Sequence, residues 1–133
     1  KYGTGGDVTL VCYNFSLREG ARLAEHLGSI GIQSDLFHVN FVPDMDISLL
    51  AESCNRTRKL VLVDDSKSAT KFGDVLVRRL QSSAIDFSVL ALFRQECAVA
   101  EYGVVEDRFT TDYEQVRSFV ERPDRLSSLS ERI

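Results

Sequence analysis

No stretch of this chain approaches the roughly 20 consecutive apolar residues that a membrane-spanning helix requires, so a span of that kind is excluded. Histidine and cysteine are scarce. His26 and His38 stand apart from Cys12, Cys54 and Cys97, and no two of the three cysteines are closely spaced. The clustered thiolates or imidazoles of a metal site are therefore missing. Three unclustered cysteines fit a reduced, intracellular compartment, with the cytoplasm or an organelle matrix as the expected location. Cys12 lies in an apolar run and Cys54 on an apolar helix stripe, where a free cysteine acts as a small hydrophobe. Positive charge is also in deficit. Sixteen Lys and Arg against 20 Asp and Glu give a net charge of −4, which argues against binding a phosphate backbone, so no nucleic-acid partner is expected. No signal peptide is visible, and the opening on Lys1 rather than methionine suggests a piece of something longer.

What is present describes a folded domain. The 133 residues are 44% hydrophobic and 27% charged, and apolar residues recur along the whole chain, as one globular domain requires. Residues 1–6 read as a flexible lead-in, with Gly3, Gly5 and Gly6, and 123–133 as a frayed tail. Asp7 to Tyr13 is a continuous apolar, β-branched run, the mark of a strand buried on both faces. Ser16 stands three residues before Glu19, a capping box that predicts a helix start. Leu17, Ala21, Ala24, Leu27 and Gly28 follow at helical spacing, widened by Leu23 and Ile30, and Gly31 closes the helix. Ile32 to Val42 is a second strand candidate, interrupted by Pro43. Asp46 is placed to cap a helix burying Ile47, Leu50, Ala51 and Cys54. Leu60 to Val63 is another two-faced run, ending in Asp64-Asp65-Ser66. Phe72, Val75, Leu76 and Leu80 form a third helical stripe, and Phe87 to Phe93 a further strand. Residues 94 to 110 are ambiguous, with one more short strand or a turn around Tyr102 to Val105. Thr111 and Glu114 repeat the capping-box spacing ahead of a last stripe, Tyr113, Val116, Phe119 and Val120, which Pro123 ends.

Strands alternating with helices are the grammar of a mostly parallel sheet covered on both faces. Right-handed crossovers then predict a three-layer α/β/α sandwich with about five strands. In such sheets ligands bind beyond the carboxyl ends of the strands, where strand order reverses. The predicted crevice is lined by Asn14 and Ser16 after the first strand, Asp64, Asp65 and Ser66 after the third, and Phe72 and Gly73 at the following helix. Asp64 and Asp65 read as solvated turn caps and oppose an anion there. Lys67 and Lys71 read as surface charges. The glycines of the lead-in precede a strand, whereas a dinucleotide fingerprint must follow one. No catalytic constellation emerges. A Cys97–His38 pairing is the one nucleophile reading left open, His38 otherwise being a partly buried histidine bonded to backbone. His26 falls on the polar face of the first helix.

The motifs Gly5-Gly6-Asp7-Val8-Thr9, Gly31-Ile32, Phe41-Val42-Pro43-Asp44, the acidic end of Leu60 to Asp65 and Lys71-Phe72-Gly73 occur in an order that resembles the C-terminal domain of transketolase-like enzymes. The resemblance covers residues 5 to about 122. Asn14-Phe15 replaces a small glycine-containing turn, and Lys71 stands where the family has a glycine. Such domains close thiamine-diphosphate enzymes, including transketolases and the beta subunits of 2-oxo acid dehydrogenases. The resemblance implies an accessory role in subunit association or partner docking, with other domains or subunits of the parent enzyme, or a second copy in a homodimer, as partners. Thiamine diphosphate and magnesium are implied for the parent. The diphosphate-binding signature of those enzymes, Gly-Asp-Gly followed by Asn-Asn, does not occur here, so no cofactor is expected in this fragment. A free-standing flavodoxin-like ligand module is the alternative. An uncovered apolar face at Phe37, Val39 and Phe41 is also expected, beside an edge strand that has been lost.

Overall fold

The computed structural model describes residues 1–40, 45–66, 71–93 and 111–123. The apolar runs become strands β1 (Val8–Tyr13), β2 (Ser34–Val39), β3 (Lys59–Asp64) and β4 (Ser88–Phe93). Helices α1 (Leu17–Ser29), α2 (Ser48–Thr57), α3 (Phe72–Gln81) and α4 (Tyr113–Glu121) alternate with them. All strand pairs are parallel, in the order β2-β1-β3-β4. Successive side chains along a strand face opposite ways. Val8, Leu10 and Cys12 accordingly join Val61, Val63, Leu23, Leu27, Val116 and Val120 under α1 and α4. On the other face Val11, Leu60 and Leu62 join Phe37, Leu50, Cys54, Leu76 and Leu80 under α2 and α3. This is the three-layer sandwich.

Four strands, rather than about five, are present among the described residues, and the candidate at 102–105 lies outside them. The second strand is shorter than the apolar alternation suggests, Ser34–Val39 rather than Ile32 to Val42. Its outer edge is not bare. Tyr2 forms an antiparallel bridge with Leu36, exchanging both backbone hydrogen bonds at 2.7 and 2.9 Å. Phe37 and Val39 are buried against α2 rather than uncovered, while Phe41 lies outside the described residues. The expectation of an open apolar edge at these two residues is therefore corrected.

The lead-in is not loose either. Gly5 is buried, and its N–H donates to Asp35 Oδ1 at 2.8 Å. Asp35 has no exposed surface, and its Oδ2 accepts from Ser53 Oγ at 2.7 Å and from Arg56, with Lys1 Nζ at 3.2 Å. Thr9 Oγ1 lies 2.7 Å from Ser53 Oγ and 2.8 Å from Thr57 Oγ1, so the cluster extends beneath α2. Burial pushes the Asp35 carboxyl up, but hydrogen bonds from Ser53, Lys1 and the Gly5 N–H outweigh it and hold its pKa below the usual value.

Helix ends follow local chemistry with two corrections. Ser16 does not cap α1 with its side chain, and Glu19 pairs with Arg22 instead. At α4 the cap is Asp112, whose Oδ1 accepts the Gln115 N–H at 3.0 Å, not Thr111. A carboxylate one residue nearer the helix is the better acceptor for the free amides of its first turn. Gly31 takes φ +86° after α1, as a closing glycine should. The buried stripe of α1 is Gly20, Leu23 and Leu27; Ala21, Gly28 and Ile30 are exposed. Gly20 sets the helix close to β1, because a Cβ there would lie 1.8 Å from Cys12 Sγ.

Candidate functional site

Strand order reverses between β1 and β3. From β1 the chain crosses to β2 on one side, and α2 then returns it to β3 on the other. The carboxyl ends of these two neighbours are the place where the fold opens a crevice. Ser16 sits at its base with no exposed surface. Its hydroxyl oxygen accepts the Tyr13 N–H at 2.9 Å, and its one proton serves the carbonyls of Val63 at 2.5 Å and Tyr13 at 2.7 Å. The hydroxyl's one donor and one of its two acceptor sites are directed at backbone, so Ser16 holds the crevice together rather than presenting a reactive group.

Asp64 closes β3 and lies in register between Tyr13 of β1 and Phe93 of β4. It is only 2% exposed. Oδ1 accepts the Ser66 N–H at 2.8 Å, while Oδ2 is buried and finds no hydrogen-bond partner among the described residues. The turn-cap reading therefore holds for Oδ1, and the solvated reading does not. Asp65 and Ser66 are half-buried beside it. Phe72 packs against Tyr13 with ring centroids 4.7 Å apart and the rings tilted by 33°. Gly73 is buried against Leu62 and Phe93, close enough that a Cβ would fall 2.7 Å from Leu62 Cδ1.

Lys71 is not the surface charge expected. It is 8% exposed, donates from Nζ to Ser66 O at 2.6 Å, and lies over the Phe93 ring at 5.7 Å from the centroid. Its place directly before the Phe72-Gly73 turn is the signal that it belongs to the crevice. Asn14, by contrast, faces outward. It is exposed at φ +54°, and its carbonyl accepts from His38 Nε2 at 2.9 Å. Because a carbonyl only accepts, that bond fixes the proton on Nε2. Phe15 beside it is 82% exposed.

The remaining candidates are dispersed. Cys12 and Cys54 lie on opposite faces of the sheet, and burial pushes both thiols up to about 12, which keeps them protonated. His26 is half-buried and stacked on Tyr113 at 4.6 Å rather than free on a polar face. Cys97, and with it the Cys97–His38 pairing, lies outside the described residues, as does Lys67. Among the described residues no group of three or more His, Cys, Asp or Glu is placed to hold a metal ion. The Asp35 cluster was missed from sequence; a charged residue inside the apolar run of β2 was its only signal.

Residues 3–116 match the family described as Transketolase, C-terminal domain. The chain belongs to that family. It is 26% identical over 84 residues to "Pyruvate dehydrogenase E1 component subunit beta" of Rhizobium meliloti (strain 1021), covering 63% of this chain and 18% of that protein. It is 30% identical over 88 residues to "1-deoxy-D-xylulose-5-phosphate synthase" of Synechococcus sp. (strain WH7803), covering 66% of this chain and 14% of that one. The chain thus spans less than a fifth of these curated relatives. Among solved structures, "Split gene transketolase, inactive beta4 tetramer" superposes with a TM-score of 0.71 at 18% identity, over 89% of this chain and 39% of the other. That superposition shows the fold. In this transketolase C-terminal domain the switch-point crevice holds a buried acid, a buried amine and three aromatic rings.

Proposed function

We propose that this chain is the accessory domain of a thiamine-diphosphate enzyme and serves subunit association or docking rather than chemistry. The observation that carries the reading is the family match joined to its extent: the domain accounts for 18% and 14% of the two curated relatives, one of which is named as a subunit, and 39% of the solved chain, which is named as a tetramer. The described residues do not fit thiamine diphosphate. A diphosphate is held by a backbone cradle and a metal, whereas α3 carries Asp74 in its first turn, Asp64 is buried at the end of β3, and no group of three metal-ligating side chains occurs among the described residues. The cofactor and magnesium belong to other parts of the parent enzyme. Phe15, exposed on a turn held by Ser16 and His38, is the apolar side chain best placed to contact another domain or a second copy. No helix among the described residues is long and apolar enough to cross a membrane. An intracellular setting, the cytoplasm first, accords with two buried free thiols.

Sedimentation velocity over micromolar to hundreds of micromolar concentrations tests self-association, which Phe15→Ser should weaken. A single monomeric species throughout overturns the homodimer. Titration calorimetry with thiamine diphosphate and magnesium tests the accessory assignment, and micromolar, magnesium-dependent binding overturns it.

A further inference from the structure

The amino-terminal segment is fastened by polar contacts rather than by packing. Lys1, Tyr2, Gly3 and Thr4 are all exposed, Tyr2 by 57%, so burial of apolar surface does little to hold them. Tyr2 exchanges both backbone hydrogen bonds with Leu36. The Gly5 N–H donates to Asp35 Oδ1 at 2.8 Å, and the Gly5 carbonyl accepts from Arg56 Nη2 at 3.0 Å. Lys1 Nζ pairs with Asp35 Oδ2 and lies 5.6 Å from the centre of the Phe37 ring.

These contacts converge on one buried carboxylate. Asp35 takes donors from two points of the segment, Lys1 and Gly5, and from α2 through Ser53 and Arg56. Bonds that share one acceptor are lost together, so the segment leaves as a unit when that cluster lets go. Gly5 sets the fit. A Cβ there would fall 2.3 Å from the backbone C and N of Ser34, whereas one at Gly6 meets nothing within 4 Å.

Beneath the segment runs the outer edge of β2. The Leu36 N–H and carbonyl, taken up by Tyr2, are the groups that another extended strand would use. A second copy of the chain offers that same edge. Two β2 strands paired antiparallel about Leu36 set Ser34 against His38 and Asp35 against Phe37, with no like charges opposed.

We propose that residues 1–6 form a strap that opens as a unit from the Asp35 cluster, and that the closed strap keeps β2 from pairing with β2 of a second copy. The inference does not rest on the docking role assigned to Phe15.

Amide hydrogen exchange of the full chain, read residue by residue by NMR, follows the opening at the Gly5 and Leu36 N–H groups. The two are expected to share one level of protection, below that of the β1 amides in the middle of the sheet. Gly5→Ala should speed Leu36 exchange by about tenfold or more and leave the β1 amides as they are, while Gly6→Ala changes neither. Lys1→Met takes one donor from Asp35 without touching the core and should speed Gly5 and Leu36 together by about threefold. That variant keeps the test decisive if Gly5→Ala does not fold. Sedimentation velocity in a Phe15→Ser background, where contact through the turn after β1 is removed, then reads the β2 edge. Adding Gly5→Ala should produce a concentration-dependent dimer, and adding Gly6→Ala should not. Leu36 exchange unmoved by both Gly5→Ala and Lys1→Met, or a strap that opens while the chain stays monomeric, overturns the proposal.

Discussion

Ser16 Oγ lies 2.5 Å from the carbonyl oxygen of Val63, joining the turn after β1 to the end of β3 across 47 residues of chain. A hydroxyl at the position of a helix cap has been diverted to fasten two strands together. Ser16→Ala leaves the buried Val63 carbonyl without this donor and should cost about 1–3 kcal/mol in urea unfolding. A loss within error would show that the contact is dispensable.

Gly20 and Gly28 occupy the same helix in opposite circumstances. A Cβ at Gly28 meets nothing within 4 Å, whereas one at Gly20 would lie 1.8 Å from Cys12 Sγ. Gly28→Ala should therefore stabilise by about 0.5–1 kcal/mol, the ordinary gain of alanine over glycine in a helix. Gly20→Ala should destabilise by about 1–3 kcal/mol through overpacking. Adding Cys12→Ala should recover part of that loss, which a double-mutant cycle would register as coupling.

Asp35 supplies a pH dependence whose direction is fixed. Its folded pKa lies below the ordinary value of 3.8, so its contribution is fully present above that value. It is lost as pH falls through the folded pKa, in the acid range below about 4. Asp35→Asn should flatten this part of the stability profile and cost about 2–4 kcal/mol at neutral pH, since it disrupts a buried, multiply bonded carboxylate. Urea midpoints across the acid range would measure both effects. An unchanged acid limb would count against the assignment.

Cys12 and Cys54, with pKa values pushed up to about 12 by burial, should resist alkylation by iodoacetamide at pH 8 in the folded protein. Both should react once urea unfolds the chain. Peptide mass spectrometry of the two sites provides the readout, and rapid native labelling of either would contradict its placement in the core.

The sheet was legible because β1 and β3 carry uninterrupted apolar runs, and no competing element buries both faces so simply. The helices were legible by period, but their buried faces less so. Ala21 and Ile30 fit the apolar spacing of α1, yet Gly20 is what the strand contacts, since close approach selects for small size rather than hydrophobicity. The turns after β1 and β3, where Ser16, Asp64 and Ser66 lie, were legible from the ends of the apolar runs. The roles of individual residues were not, because Ser16 to Val63, Asp35 to Gly5 and Asp35 to Ser53 are partnerships across 47, 30 and 18 positions. Periodicity reports which side a residue faces. It does not report which distant donor or acceptor waits there. Lys71 shows the same limit, since charge suggests solvent until the Phe93 ring and the Ser66 carbonyl are seen beside it.

The central position of β1 has a consequence for how the domain is assembled. One of its edges is matched by β2 soon after α1, but the other waits for β3, which ends at residue 64. During synthesis from the amino end, the β1-α1-β2 unit would emerge with an apolar strand open along one side. Such an edge is a template for pairing with other chains. The interval between the emergence of β2 and of β3 is therefore when a nascent chain of this domain is most exposed to aggregation, and when a chaperone would have most to shield.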